Sequence, residues 1–188
     1  MKKNKNNDLI KVLAITYSVL LSIYTCLRHE AFMTRAYDLG IFMQALWTTA
    51  YANKFFFETP DLGISEGGSF FGVHFSPIML FLLLLYCLFP HAYTLLIFQT
   101  FLLGFAAIPL YKLAREITKN QEIALAFSII YLIYPPIIAA NLFDFHLESF
   151  FPIIFFTAFY YLEKKEFNKF YLTLIIGLTI LDLSLIHI

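Results

Sequence analysis

The sequence predicts an all-α, polytopic transmembrane helical protein, and three observations carry that prediction. The chain is 60% hydrophobic and 19% aromatic but only 14% charged, with a mean hydropathy of +0.74. A soluble domain is about half apolar and about a quarter charged, so this surplus of apolar side chains calls for lipid as solvent. The apolar residues fall in long runs, and the basic residues gather between those runs unevenly. A net charge of +0 gives no reason to expect a nucleic-acid partner. Cys26 and Cys87 sit inside apolar runs without metal-ligand spacing, so neither redox compartment nor disulfide follows from them.

The apolar runs cover 9–27, 75–89, 92–111, 123–140, 149–162 and 170–188. The first follows Lys2, Lys3 and Lys5 and resembles a signal peptide. It is long for one, however, and Arg28-His29-Glu30 stands where a small-x-small cleavage site belongs, so an uncleaved first span is expected. A spanning helix needs roughly 20 apolar residues, and the runs at 75–89 and 149–162 are short. Charge decides between them. If 75–89 crosses, Lys112, Arg115, Lys119, Lys164, Lys165 and Lys169 fall outside; if it lies in the interface, they join Lys2, Lys3, Lys5 and Lys11 inside. Cytoplasmic ends favour Lys and Arg, and the second arrangement puts ten of the 13 basic residues there. The expected topology therefore has a cytoplasmic N-terminus and spans at 9–27, 92–111, 123–140, 149–162 and 170–188. An external segment, 28–91, carries surface helices at 38–51 and 75–89. The whole reads as one domain of an integral plasma membrane protein, bacterial or archaeal. Leu183-Ser184-Leu185-Ile186-His187-Ile188 resembles an appended tail, which keeps His187 out of any site.

In the external segment Leu39, Phe42, Ala45, Leu46 and Thr49 recur at helical spacing, with Gln44, Trp47 and Tyr51 left for the headgroup layer. Asp38 opens that helix, where a carboxylate serves as N-cap, as catalytic base, or as both. Residues 58–72 are rich in Gly with Pro60 and read as a connector. Ser76-Pro77 has the preferences of a helix start, which sets His74 just before a helix N-terminus. A lone His is more often structural; the alternatives are metal binding and proton shuttling.

Asn141-Leu142-Phe143-Asp144-Phe145-His146-Leu147-Glu148 is the strongest local signal. Three ionisable groups in five residues at a membrane boundary are costly unless they face water or one another. An extended backbone points Asp144, His146 and Glu148 to one side; a helical one puts Asp144 and Glu148 on one face. Either geometry lets oxygen and imidazole ligands converge on a divalent cation, with Mg, Mn and Zn not distinguished. Pro135-Pro136 should kink or end the span before this loop.

Tyr37-Asp38-Leu39-Gly40-Ile41-Phe42-x-Gln44-Ala45-Leu46-Trp47, Gly72-Val73-His74-Phe75-Ser76-Pro77 and Asn141-Leu142-Phe143-Asp144-Phe145-His146-x-Glu148 resemble, in order, the motifs of the DUF2079 membrane proteins. The layout is similar to the N-terminal portion of GT-C-type glycosyltransferases. Those enzymes carry an acidic residue on surface helices of the first external loop and take sugar from a polyprenyl-phosphate donor. The resemblance maps Asp38 to the first acidic site and Asp144 and Glu148 to a second; in a transferase of this kind Asp38 would be the catalytic base, and Asp144, His146 and Glu148, with His74, would hold a divalent metal ion. Gln44 and Trp47 of the surface helix are the candidate substrate-binding residues, and the lipid bilayer and a polyprenyl-phosphate sugar are the partners such an enzyme would have. The segment at His74-Phe75-Ser76-Pro77 departs from a His-Pro-Pro-like pattern. GT-C-like enzymes have more spans than five, so this chain is expected to be a fragment, inactive as it stands. Two other functions stay open. In a non-catalytic membrane scaffold the acidic cluster would bind a metal or partner, and in a transporter subunit it would line a polar path. The near absence of charge within the spans counts against the transporter.

Overall fold

The computed structural model describes residues 5–180. Its helices are α1 (Lys5–Glu30), α2 (Ala36–Tyr51), α3 (Met79–Leu88), α4 (Ala92–Thr118), α5 (Gln121–Phe143), α6 (Phe151–Glu163) and α7 (Phe167–Leu178). Of these, α1, α4 and α5 have 26, 27 and 23 residues and are apolar enough to cross a membrane. At the α-helical rise they reach roughly 35–40 Å, against a hydrocarbon core of about 30 Å. The all-α expectation holds, and the chain is an integral membrane protein with three candidate spans. Where the sequence places further spans at 149–162 and 170–188, α6 and α7 have 13 and 12 residues. The end of that last run, the 183–188 tail with His187, and the basic Lys2 and Lys3 lie outside the described residues.

The α1–α4 pair is built on small side chains. Ile10, Ala14, Ser18, Ser22 and Thr25 form the buried stripe of α1, and their three- and four-residue spacing keeps them on one face. Gly104 of α4 meets that stripe: a Cβ there would stand 2.2 Å from the Ser18 hydroxyl and 3.2 Å from the Ala14 carbonyl oxygen. In hydrocarbon there is little hydrophobic drive to bring helices together, so close backbone approach through small residues supplies the contact. The turn to α5 is made by Lys119 in the left-handed region (φ 53°) and by Asn120, whose side chain accepts from the N–H groups of Glu122 and Ile123. Glu116 pairs with Lys119 and, at 3.2 Å, with Lys164, which ties this turn to the end of α6.

At the opposite end the Tyr93 hydroxyl donates to Glu30, so the 31–91 segment leaves the bundle and rejoins it at one end. α5 is interrupted at Ile133-Tyr134 and restarts at Pro135. Tyr134 is extended there (ψ 117°), as the residue before a proline is pushed to be, and the two prolines thus re-aim the last turns before the 144–150 loop.

Two local expectations are corrected. Asp38 is not the cap of α2; Arg35 occupies that position and Asp38 lies in the first helical turn, because the helix begins earlier than the apolar periodicity. Ser76 does not cap α3, which starts at Met79 without a side-chain cap. The Ser76 hydroxyl is buried and donates instead to the Ile180 carbonyl oxygen at 3.3 Å.

Candidate functional site

Asp38 is carried by α2, whose Leu39, Phe42, Ala45 and Leu46 are buried in the core, as the spacing of its apolar residues predicts. The opposing residues come from the α5–α6 loop. That loop is held by Gln99, a buried glutamine two turns into α4. The Gln99 Nε2 donates to the Asp144 carbonyl oxygen at 2.7 Å, and its Oε1 accepts from the His146 backbone N–H at 2.8 Å. Next to it the Thr100 hydroxyl donates to the Asn141 Oδ1 at 2.9 Å. One amide side chain thus satisfies backbone groups on both sides of Phe145, groups that would otherwise be buried without partners. Phe145 is fully buried and meets Phe42 of α2 edge-on, with ring centroids 5.1 Å apart.

This arrangement brings His146 Nε2 to 3.6 Å from Asp38 Oδ2, with both side chains about one-third exposed (34% and 35%). The other ring nitrogen, Nδ1, faces the Asp144 carbonyl oxygen at 3.3 Å. A carbonyl only accepts, so Nδ1 carries the hydrogen and Nε2 is left to face Asp38. Beneath the pair lies the Asp144 carboxylate, 1% exposed. Burial pushes its pKa up to about 6, and the neighbouring Asp38 carboxylate adds to the rise. His146 and the backbone N–H groups of Leu39 and Arg35 oppose it, the latter without forming hydrogen bonds of full geometry. A carboxyl near neutrality beside an open Asp–His pair is a functional-site signature, because such a group can hold or release a proton at working pH.

The remaining sequence candidates are distributed differently. His74 packs against Phe70 with the rings tilted and their centroids 5.2 Å apart, and Phe70 likewise against Phe42 at 5.4 Å, so an aromatic row separates it from Asp144. It lies instead near Glu58, where an imidazolium would act to lower that carboxyl's pKa. Glu58 is fully buried, with Oε2 accepting from the Asp61 N–H at 3.1 Å, and burial raises its pKa. Sequence reasoning missed Glu58 by treating 58–72 as a connector; an acid directly after Phe55-Phe56-Phe57 was the available signal. Glu148 is exposed on a single 3-10 turn, Leu147–Phe150. The Gln44 side-chain oxygen is engaged by the N–H and hydroxyl of Thr59. Trp47 is half-exposed and packs on Tyr51. The four residues expected to bind metal are therefore not gathered together, and among the described residues no group of three or more His, Cys, Asp or Glu is arranged to hold an ion.

Alongside the Asp–His pair lies a cavity of about 460 Å³ between α4, α5 and α6. Leu103, Ala140, Phe143 and Phe151 make its walls apolar, and Gln99, His146 and Glu148 line it as well. His146 belongs to both features. Above the cavity wall the Arg35 guanidinium lies 4.8 Å from the centre of the Phe143 ring.

Fold and site together define a polytopic integral membrane protein that gathers two carboxylates and an imidazole at one end of its helical bundle. The chain belongs to the DUF2079 family of predicted membrane proteins, whose model matches residues 28–188. No curated protein and no solved structure matches the chain.

Proposed function

We propose that the full-length protein is a membrane glycosyltransferase. It would move a sugar from a polyprenyl-phosphate donor to an acceptor hydroxyl on the non-cytoplasmic face. The observation that carries this reading is the half-open Asp38–His146 pair, set over the buried Asp144 and beside an apolar cavity. Asp38 is exposed enough to reach a hydroxyl and is the general base. Its carboxylate takes the acceptor proton as the acceptor oxygen bonds to the anomeric carbon. The bond from that carbon to the phosphate oxygen breaks, and polyprenyl phosphate leaves with the electron pair. His146, held through Nδ1 by the Asp144 carbonyl, keeps its Nε2 against Asp38 and offsets that carboxylate's charge when Nε2 also carries a proton. Supporting this orientation, the turns α4–α5 and α6–α7, joined by the Glu116–Lys164 pair, carry basic residues of the kind that favour the cytoplasmic side.

A divalent cation enters only as a second reading, favoured by one distance. Ligands of one ion at about 2.0–2.2 Å and tetrahedral angles lie roughly 3.4 Å apart, close to the 3.6 Å between Asp38 and His146. Those two residues would hold it, and it would supply charge stabilisation at the leaving phosphate. The deciding experiment is transfer from a radiolabelled polyprenyl-phosphate sugar by full-length protein in vesicles. Asp38→Asn should lower turnover by about 100-fold or more, in the range for removal of a general base. Wild-type turnover in that variant would rule the assignment out, and loss with chelator that added metal restores would favour the second reading.

A further inference from the structure

Glu148 takes no part in the Asp38–His146 pair, yet it is the charged side chain that lines the cavity between α4, α5 and α6. α5 and α6 both pack on α4, and the cavity, about 460 Å³, is the gap left between them. Ile137, Ala140 and Phe143 recur every three residues on α5, so this wall runs for about 9 Å. Ala140 and Phe143 are also exposed, so the gap opens sideways along a candidate span. Gln99, His146 and Glu148 form its polar end at the α5–α6 loop, with Leu103 one turn of α4 further in. An apolar trough that runs along membrane helices and ends at polar groups has the shape of a site for a single-chain lipid. We propose that this gap binds the hydrocarbon chain of an uncharged lipid alcohol, the acceptor of the transferred sugar, and that Glu148 sets the head-group preference.

The head group follows from charge. Glu148 brings an anion to the polar end, and Arg35, which rests on Phe143, does not line the gap. A phosphate or carboxylate head would therefore meet a like charge with no cation in the lining to offset it. The Gln99 amide is already engaged by the backbone around the loop, which leaves Glu148 and His146 to receive the ligand. A hydroxyl suits them, because it donates to a carboxylate or an imidazole nitrogen and needs no counter-ion. The choice of an alcohol over an amine rests on the proposed transferase reading: an alkylammonium has no lone pair with which to attack the anomeric carbon. His146 both lines the gap and meets Asp38 at 3.6 Å, so a hydroxyl at this end stands beside the base. Its proton passes to Asp38 as its oxygen bonds to the sugar, while the chain stays held between α5 and α6.

The test is photolabelling of the full-length protein in phosphatidylcholine vesicles with a diazirine-bearing hexadecanol, followed by peptide mapping. Labelling should fall on the stretches around Leu103 and Ala140 and be displaced by unlabelled hexadecanol. Hexadecyl phosphate should compete about tenfold more weakly, the scale of one like charge at a partly exposed site. Glu148→Gln, a change at an exposed side chain, should leave alcohol labelling in place and bring the phosphate to within about threefold of the alcohol. Ala140→Trp should block labelling by filling the gap. Labelling that survives Ala140→Trp, equal competition by hexadecyl phosphate in wild type, or stronger displacement by hexadecylamine than by hexadecanol would overturn the proposal. Sugar transfer, measured separately, tells the two readings apart. Transfer to a water-soluble acceptor by a protein that takes up no probe keeps the transferase and ends the lipid site. Labelling without transfer to any acceptor keeps the lipid site and ends the transferase.

Discussion

His146 Nε2 faces Asp38 Oδ2 at 3.6 Å, joining the first helix after the N-terminal span to the loop after the third candidate span. If the two act as a unit, their losses will not add. Asp38→Asn and His146→Gln should each reduce function by about 100-fold, and the double variant should be little worse than Asp38→Asn alone. Complementation or transfer assays on all three variants measure the coupling; independent, multiplying effects would separate the two residues.

Asp144 yields a pH prediction with a definite sign. Its pKa is about 6 in the fold against 3.8 for the ordinary group, so the native state holds this proton where the unfolded chain has released it. The associated stability is present at low pH and is lost as pH rises through about 6. A shift of about two units corresponds to roughly 3 kcal/mol. Asp144→Asn keeps the shape and removes the charge, so it should unfold at higher temperature than wild type at pH 7.5. The gap should narrow as pH falls through about 6, be about half as large near pH 5, and close only below about pH 4. Thermal scans of the two proteins across that range check the trend, and a gap independent of pH would assign the stability difference to something other than this titration.

Gln99 holds that loop in register. Replacing it with Leu removes partners from the Asp144 carbonyl and the His146 N–H at once, and each buried unsatisfied group costs about 1–3 kcal/mol. Gln99→Leu should therefore lower the apparent Tm by several degrees. It should also weaken function more than Thr100→Val does, because the Thr100 hydroxyl reaches the Asn141 side chain and the Leu96 carbonyl of its own helix but no backbone group of the 144–146 loop. Hydrogen exchange of the His146 amide gives the direct reading: faster exchange is expected in Gln99→Leu.

What the sequence made legible follows the range of the interactions involved. Span α1 and the helix carrying Asp38 announce themselves through runs and periodicities of neighbouring residues, and Pro135-Pro136 marks the break in α5 by local sterics. The loop at Asp144 and His146 was also visible, because ionisable groups beside lipid are costly wherever they occur. Its pairing with Asp38 was not, since it depends on how α2 packs through Phe42 onto Phe145, a contact between distant parts of the chain. The same reason hid His74, which the aromatic row turns toward Glu58 rather than toward Asp144. Gln99 had a readable signal, a glutamine–threonine pair in the middle of an otherwise apolar span, but its partners could only come from the fold.

Gly104 tests how the bundle itself is held. A Cβ at this position would come 2.2 Å from the Ser18 hydroxyl, 2.9 Å from the Tyr17 ring and 3.2 Å from the Ala14 carbonyl oxygen. The first two belong to side chains that can rotate away, but the third is backbone, so relief requires α1 and α4 to move apart. Such a movement loosens the entire small-residue stripe of Ala14, Ser18 and Ser22, where close approach is what binds the helices. Gly104→Ala should consequently destabilise the protein by about 1–3 kcal/mol, as overpacking does, and Gly104→Val by more. Adding Ser18→Gly to Gly104→Ala should restore only part of the loss, because the Ala14 carbonyl stays in place. Gly177→Ala is the matched control: its new methyl would meet only the Ile154 Cγ2, at 3.3 Å. Apparent Tm in detergent ranks the four variants, and a Gly104→Ala protein as stable as Gly177→Ala would show that α1 and α4 do not depend on close contact there.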